Sequence, residues 1–390
     1  MLKYVKIKLY PTDDQKQKIA QNIGCARFVY NHMLALRIHT WETRKEAISM
    51  FALDKMLPQL KQEFEWLKDA DSTSLQQAIK DMDDAYQRFF KAGNGFPAFR
   101  KKQDGYGSFR CSMSLGIRKG KLKCGKHSNL RFRCSAKSRE ILETHKIKRI
   151  VIKMDAGEYF ASCLVDLPEP ELNPEYGSFK FSACGIDLGV VVPATIAIRT
   201  DTNKVSYVAH GKEYTKGLIK KEQRRIRYQR QLSRKIKGSS NFKKAKARLQ
   251  RAFQAERNYR KNYAEQLSAR LSKTCALVVF EDLKLTNMTK AVKKNEGGIR
   301  KGRAAKAGLN RSMLRNGMGL LMQRTAQKST ERGGQFLKVN PKFTSQICSQ
   351  CGYKDKKNRK SQANFKCLCC GYEKNADKNA ARNILKRGER

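Results

Sequence analysis

The spacing of apolar residues changes several times along the chain, and each change marks a different element. Residues 3–10 alternate charged and apolar positions, the period-two pattern of a strand with one buried face. Pro11 follows, and Thr12 with Gln15 three positions on makes a capping box. Apolar residues then recur at helical spacing through Ile19, Ile23, Phe28, Met33 and Leu34. Two or three further helices fill the segment to Lys91, the last beginning near Ser72. The glycines and proline of residues 92–100 end the helical pattern. Between 106 and 168 short strand-like runs follow, at 108–113, 121–124, 130–134, 149–154 and 160–167. They predict a small β-barrel that pairs with the first strand and is interrupted by the helical insert.

The stretch Leu167-Pro-Glu-Pro-Glu-Leu-Asn-Pro174 reads as a linker, and beyond it the texture changes. Ala183-Cys-Gly-Ile-Asp-Leu-Gly-Val190 is an apolar strand with a single carboxylate, and residues 194–199 and 205–210 continue a meander. Residues 215–273 read as two long basic helices broken at Lys237-Gly-Ser-Ser-Asn241. Ala276-Leu-Val-Val-Phe-Glu-Asp-Leu283 is a second buried strand that ends in carboxylates. The Gly/Lys/Arg-rich tract 286–307 is expected to be mobile, 310–332 to be one helix, and 335–339 a last strand. Three meander strands, then helices, then a parallel strand bearing an acid is the RNase H-like order. The chain as a whole therefore reads as α+β and multi-domain.

Composition adds a partner. The chain has 390 residues, of which 40% are hydrophobic, enough for two or three domains with real cores. No apolar run reaches the roughly 18 residues that a membrane span needs. The amino-terminal alternation is not a signal peptide, so the twelve cysteines point to a reducing cytosol. A net charge of +48 calls for a polyanionic partner. The charge is localised: residues 13–94 hold 12 basic and 12 acidic side chains, whereas residues 216–273 hold 20 basic and 3 acidic ones.

Two sets of residues carry candidate chemistry. Cys348-Ser-Gln-Cys351 and Cys367-Leu-Cys-Cys370 are two CxxC pairs, each followed by glycine, at the separation of a four-thiolate structural zinc site. That register selects Cys348, Cys351, Cys367 and Cys370 as ligands of one Zn²⁺ and leaves Cys369 spare. Asp187, Glu281 and Asp377 lie at the ends of apolar elements, where a lone buried charge is costly. Three converging carboxylates can hold two divalent cations about 4 Å apart and cleave phosphodiesters, and Mg²⁺ suits oxygen ligands. Asp282 is the rival to Glu281, because strand alternation points one of the two away. On the basic helices, Arg224, Arg225, Arg227, Arg230, Arg234, Lys243, Lys244, Arg248 and Arg251 are candidates for phosphate contacts, with the interleaved aromatics mostly inward.

Taken together, Gly95-Phe-Pro-Ala-Phe-Arg100, Gly185-Ile-Asp-Leu-Gly189, Phe280-Glu-Asp-Leu283, Pro341-Lys-Phe-Thr-Ser-Gln-Ile-Cys-Ser-Gln-Cys-Gly352 and Asp377-Lys-Asn-Ala-Ala-Arg-Asn-Ile384 resemble TnpB, the transposon-encoded RNA-guided DNA endonucleases related to type V CRISPR effectors. The match runs nearly end to end. It departs at Ala376, where the family often has arginine, and at Met318, where an aromatic is expected. The resemblance implies a wedge barrel (1–12 and 95–168) around a recognition insert (13–94), then a linker (169–178). It further implies a RuvC-like nuclease (179–345 and 374–390) interrupted by a zinc-ribbon-like segment (346–373). It also implies RuvC carboxylates Asp187, Glu281 and Asp377, two Mg²⁺, a guide RNA in a bacterial or archaeal cytosol near the nucleoid, and a target double-stranded DNA, the guide–target heteroduplex being held through its backbone. A guided DNA-binding repressor and a miniature type V effector remain as alternatives.

Overall fold

A computed structural model describes residues 2–102, 105–168, 179–200, 204–291 and 302–390. The expected linker, 169–178, and residues 292–301 of the expected mobile tract lie outside them. The chain forms two compact units, Met1–Glu169 and Pro170–Arg390.

In the first unit, β1 (Leu2–Leu9) leads into α1 (Asp13–Arg44), whose capping box at Thr12 and Gln15 is formed as predicted. Then come α2 (Met50–Lys55), α3 (Leu57–Glu63), a 3₁₀ turn and α4 (Ser72–Ala92). Strands β2 (Tyr106–Cys111), β3 (Leu115–Arg118), β4 (Lys121–Cys124), β5 (His127–Leu130) and β6 (Phe132–Arg133) follow. A helix absent from the sequence reading, α5 (Ala136–Thr144), precedes β7 (Ile147–Asp155) and β8 (Glu158–Asp166). The main sheet is antiparallel in the order β2-β7-β8-β1-β6, and β3-β4-β5 form a separate meander. The first strand does pair with the last strand of this unit, across the helical insert. Alternate residues Val5, Ile7 and Leu9 are buried, as period two requires.

The second unit is built on a five-stranded sheet ordered β11-β10-β9-β12-β13. Strands β9 (Phe181–Asp187), β10 (Ala194–Arg199) and β11 (Val205–His210) form an antiparallel meander. Helices α6 (Lys212–Ser233) and α7 (Ser240–Thr274) lead to β12 (Cys275–Glu281), which runs parallel to β9. After α8 (Leu285–Met288), the segment expected as one helix is two, α9 (Arg303–Asn316) and α10 (Met318–Thr330). Gly317, at φ +65°, takes the left-handed conformation that ends the first and starts the second. The tract 286–307 is thus helical at both described ends. Strand β13 (Gln335–Val339) pairs parallel to β12, and the short hairpin β14 (Asn364–Lys366) and β15 (Glu373–Asn375) leads into α11 (Ala376–Gly388).

The two faces of this sheet are covered differently. Cys184, Ile186, Val278 and Phe280 pack with Leu218 of α6, Leu267 and Leu271 of α7 and Leu321 of α10. On the opposite face Ala183 and Ala197 pack with Ala381 and Leu385 of α11.

Candidate active site and metal centre

Strand alternation places two of the three carboxylates. Along β9, Cys184 and Ile186 face α7 while Ala183 faces α11, so Asp187 falls on the α11 face. Along β12, Val278 and Phe280 face α7 while Leu277 faces α11, which puts Glu281 on the α11 face and Asp282 on the other. The pairing Phe280↔Ile186 makes Glu281 and Asp187 neighbours at the ends of adjacent parallel strands. Asp282 pairs with Lys284 at 2.7 Å and is pulled down in pKa by it, as an ordinary surface acid is.

Asp377 arrives from α11, and what brings it close is a glycine. A Cβ on Gly185 would sit 2.4 Å from the backbone nitrogen of Leu385 and 2.5 Å from the carbonyl oxygen of Ala381. Only glycine lets α11 lie directly on β9 at this point. The helix is capped by Asn375, whose side chain accepts from the amides of Asp377 and Lys378. Ala376, where the family often has arginine, is buried against Cys348, Phe365 and Cys367. Met318 is likewise buried, at the start of α10.

The electrostatics follow from this clustering. Burial, then the charges of Glu281 and Asp377, push Asp187 up to about 7, while Arg359 pulls the other way. Burial also raises Glu281 against a hydrogen bond from Thr344, and raises Asp377 against Arg359. The carboxylates are ringed by protein but keep part of their surface in water. Thr344 and Arg359 did not enter the sequence reading as site residues. Thr344 lies within the quoted Pro341–Gly352 motif; Arg359 carries no spacing signal.

The cysteines form a second centre. Cys348, Cys351, Cys367 and Cys370 bring their four donor atoms within 4.8 Å of one another. Cys348 Sγ lies 3.7 Å from Cys370 Sγ, and Cys351 Sγ 3.6 Å from Cys367 Sγ. Zinc–sulfur bonds of about 2.3 Å at the tetrahedral angle put sulfurs about 3.8 Å apart, so the donor set fits Zn²⁺. Two matching turns present it: Gly352 N–H donates to Cys348 O, and Gly371 N–H to Cys367 O. The Tyr353 amide holds Cys351 down at about 6. Cys370, although the Tyr372 amide pulls it down, is driven up to about 12 by the Cys351 sulfur. Exposed Cys369 stands outside the group, as the CxxC register requires.

The basic helices divide their cations between two tasks. Arg224, Arg227, Arg230, Arg234, Lys243, Lys244, Arg248 and Arg251 are exposed. Arg225 is different: its guanidinium donates to Glu256 at 2.9 Å, lies 3.5 Å from Glu222 and covers the Phe253 ring, so it belongs to α6–α7 packing. Tyr214, Tyr259 and Tyr263 stack inward.

The chain is 34% identical over 390 residues to InsQ of Escherichia coli strain K12, an RNA-guided DNA endonuclease by name, covering 99% of this chain and 92% of that one. The chain belongs to the TnpB family. A second relative named as an RNA-guided DNA endonuclease, from Streptomyces pristinaespiralis, is 27% identical over 98% of this chain and 88% of its own. Family models match at residues 1–46 (a helix-turn-helix domain), 171–292 (probable transposase) and 319–384 (a Cas12f1-like TNB domain). The described residues of the first stretch hold one strand and one long helix. The fold resembles that of a Cas12f1 chain solved with sgRNA and target DNA, with a TM-score of 0.56, 14% identity and 98% coverage of both chains.

Proposed function

We propose that this TnpB-family chain is the RNA-guided DNA endonuclease of a transposon, taking a guide RNA and a target double-stranded DNA as partners and hydrolysing DNA at Asp187, Glu281 and Asp377. The observation that carries this reading is the convergence of three carboxylates, with Asp187 pushed up to about 7, on one face of the sheet. Such a cluster of acids is stable in its charged form only with cations between them. Asp187, Glu281 and Asp377 would hold two Mg²⁺, which activate water and stabilise the leaving oxygen when bound. Thr344 favours the ionised form of Glu281 by donating to it, against the larger effect of burial, and Arg359 offers positive charge beside Asp187 and Asp377. The zinc cysteines sit between β13 and α11, so a folded zinc segment delivers Asp377.

In this reading the sheet order β11-β10-β9-β12-β13 is RNase H-like and forms the RuvC domain (179–345 and 374–390), with 346–373 as its zinc-ribbon-like segment. Residues 1–12 and 95–168 form the split wedge barrel and 13–94 the recognition insert. Exposed arginines and lysines of α6 and α7 hold nucleic-acid backbones rather than bases, as a programmable enzyme requires.

The test is plasmid cleavage with a matched guide and Mg²⁺. Asp187→Ala, Glu281→Ala and Asp377→Ala should each lose cutting by at least 100-fold, about the loss seen when one strong electrostatic group leaves an active site. Guided DNA binding should stay within a few-fold of the unmodified chain. Full cutting by any one variant removes that residue from the site, and binding without cutting by the unmodified chain would favour a guided DNA-binding protein.

A further inference from the structure

The segment between β13 and the first zinc cysteine carries hydrogen bonds that neither zinc binding nor hydrolysis explains. Thr344 is buried, and its hydroxyl reaches two acceptors, Glu281 Oε1 and Pro341 O, the latter at 3.1 Å. A hydroxyl has one proton, and the closer, charged carboxylate takes it. The carbonyl of the same residue accepts from Asn383 Nδ2 at 2.8 Å. Asn383 also donates to Ile347 O at 2.7 Å, and Asn379 donates to that oxygen at 2.9 Å while accepting from the Ser349 amide at 2.9 Å. Asn379 and Asn383 are themselves buried, one turn apart on α11, whose first turn carries Asp377. Arg387 of that helix donates to Lys342 O at 2.9 Å. Buried asparagines satisfied by main-chain groups on this scale define a single register between two segments. Here one segment leads straight into Cys348 and the other carries Asp377.

We propose that Thr344, Asn379 and Asn383 form a clasp that positions Glu281 against Asp377, and that zinc binding at Cys348 keeps the clasp closed, so that zinc sets the affinity for the hydrolytic metal ions. The inference rests on Glu281 being a metal ligand. Thr344 touches no reacting atom; it acts through Glu281 by fixing which oxygen is turned toward the other carboxylates, the kind of outer hydrogen bond that is worth roughly 10- to 100-fold in metal affinity. The asparagine–carbonyl bonds carry any displacement of the zinc knuckle to the same carboxylate.

The experiment uses the full zinc-loaded chain and titrates Mn²⁺ calorimetrically, with zinc per chain measured by elemental analysis. Thr344→Val should weaken Mn²⁺ binding about tenfold at unchanged zinc content, and Thr344→Ser, which keeps the hydroxyl, should restore it to within about twofold. Cys370→Ser, depleted of zinc, should weaken Mn²⁺ binding in the same direction, and combining it with Thr344→Val should add little, because coupled residues are not additive. Normal Mn²⁺ binding by Thr344→Val, failure of the serine variant to rescue, or simple additivity with Cys370→Ser would each overturn the clasp. If the valine variant does not fold, Thr344→Ala makes the same comparison without added bulk. Asp187→Ala separates the two levels: if it binds Mn²⁺ like the unmodified chain, the metal-site reading itself falls. If it loses the binding while Thr344→Val does not, only the clasp falls.

Discussion

At Asp187 three effects meet on one carboxyl. Burial comes first, the charges of Glu281 and Asp377 add to it, and Arg359 opposes both, leaving a pKa of about 7. A native carboxyl that keeps its proton to higher pH than the unfolded chain does binds more protons when folded. Stability contributed by that proton is present at low pH and is lost as pH rises through about 7. With no divalent cation at the carboxylates and the cysteine cluster left undisturbed, the chain should therefore melt at a lower temperature at pH 8 than at pH 6. Asp187→Asn, which cannot ionise, should show a smaller difference, and Mg²⁺ should raise the melting temperature most at pH 8, where the site is charged. Calorimetric melts of both proteins, with and without Mg²⁺, check this. An identical pH dependence in the two proteins would show that Asp187 titrates in its ordinary range.

At the scale of elements, the decisive contact is α11 lying on β9. Gly185 leaves no room for a side chain, and Ala381 and Leu385 fill what remains. Gly185→Ala must push the helix off the strand, because the atoms in the way are backbone and cannot rotate aside. Overpacking of this kind costs about 1–3 kcal/mol, and it also draws Asp377 away from Asp187. The expected outcome is a melting temperature lower by several degrees and a loss of cutting much larger than any loss of guide RNA binding. Cleavage at the unmodified rate would show that α11 need not sit this close. Gly185 was legible as part of a motif, but nothing near it in the sequence signalled that a helix far along the chain would rest on it.

At the scale of the whole molecule, the excess positive charge is the property that acts at a distance. Part of it is neutralised inside the protein: Arg225 answers Glu256, and Arg324 and Lys328 answer Glu265. The exposed part is available to phosphates. Replacing Arg224, Arg227, Arg230 and Arg234 together with glutamine should weaken binding about equally for unrelated guides. It should lower the slope of log affinity against log salt by roughly 0.7–0.9 for each phosphate that is no longer neutralised. Arg225→Gln should instead cost about 1–3 kcal/mol of stability, as expected when a buried charge is deprived of one of its partners, with little change in that slope. Affinities at several salt concentrations, alongside thermal melts, separate the two behaviours. Weakening confined to one guide sequence would mean base readout.

Much of this protein was determined by the sequence itself. The period-two run at residues 3–10 located β1, the capping box opened α1, and CxxC spacing picked Cys370 over Cys369, because these signals depend on residues close together along the chain. The helix α5, the break at Gly317 and the inward role of Arg225 were not legible, since each is settled by neighbours far away in the chain. The choice between Glu281 and Asp282 shows the division most plainly. Alternation along β12 guaranteed that only one of them could face the other acids, but which face held those acids depended on where α11 came to rest. That was decided by packing: a glycine on β9, alanines on α11 and a sheet already covered on its other side by α7 and α10.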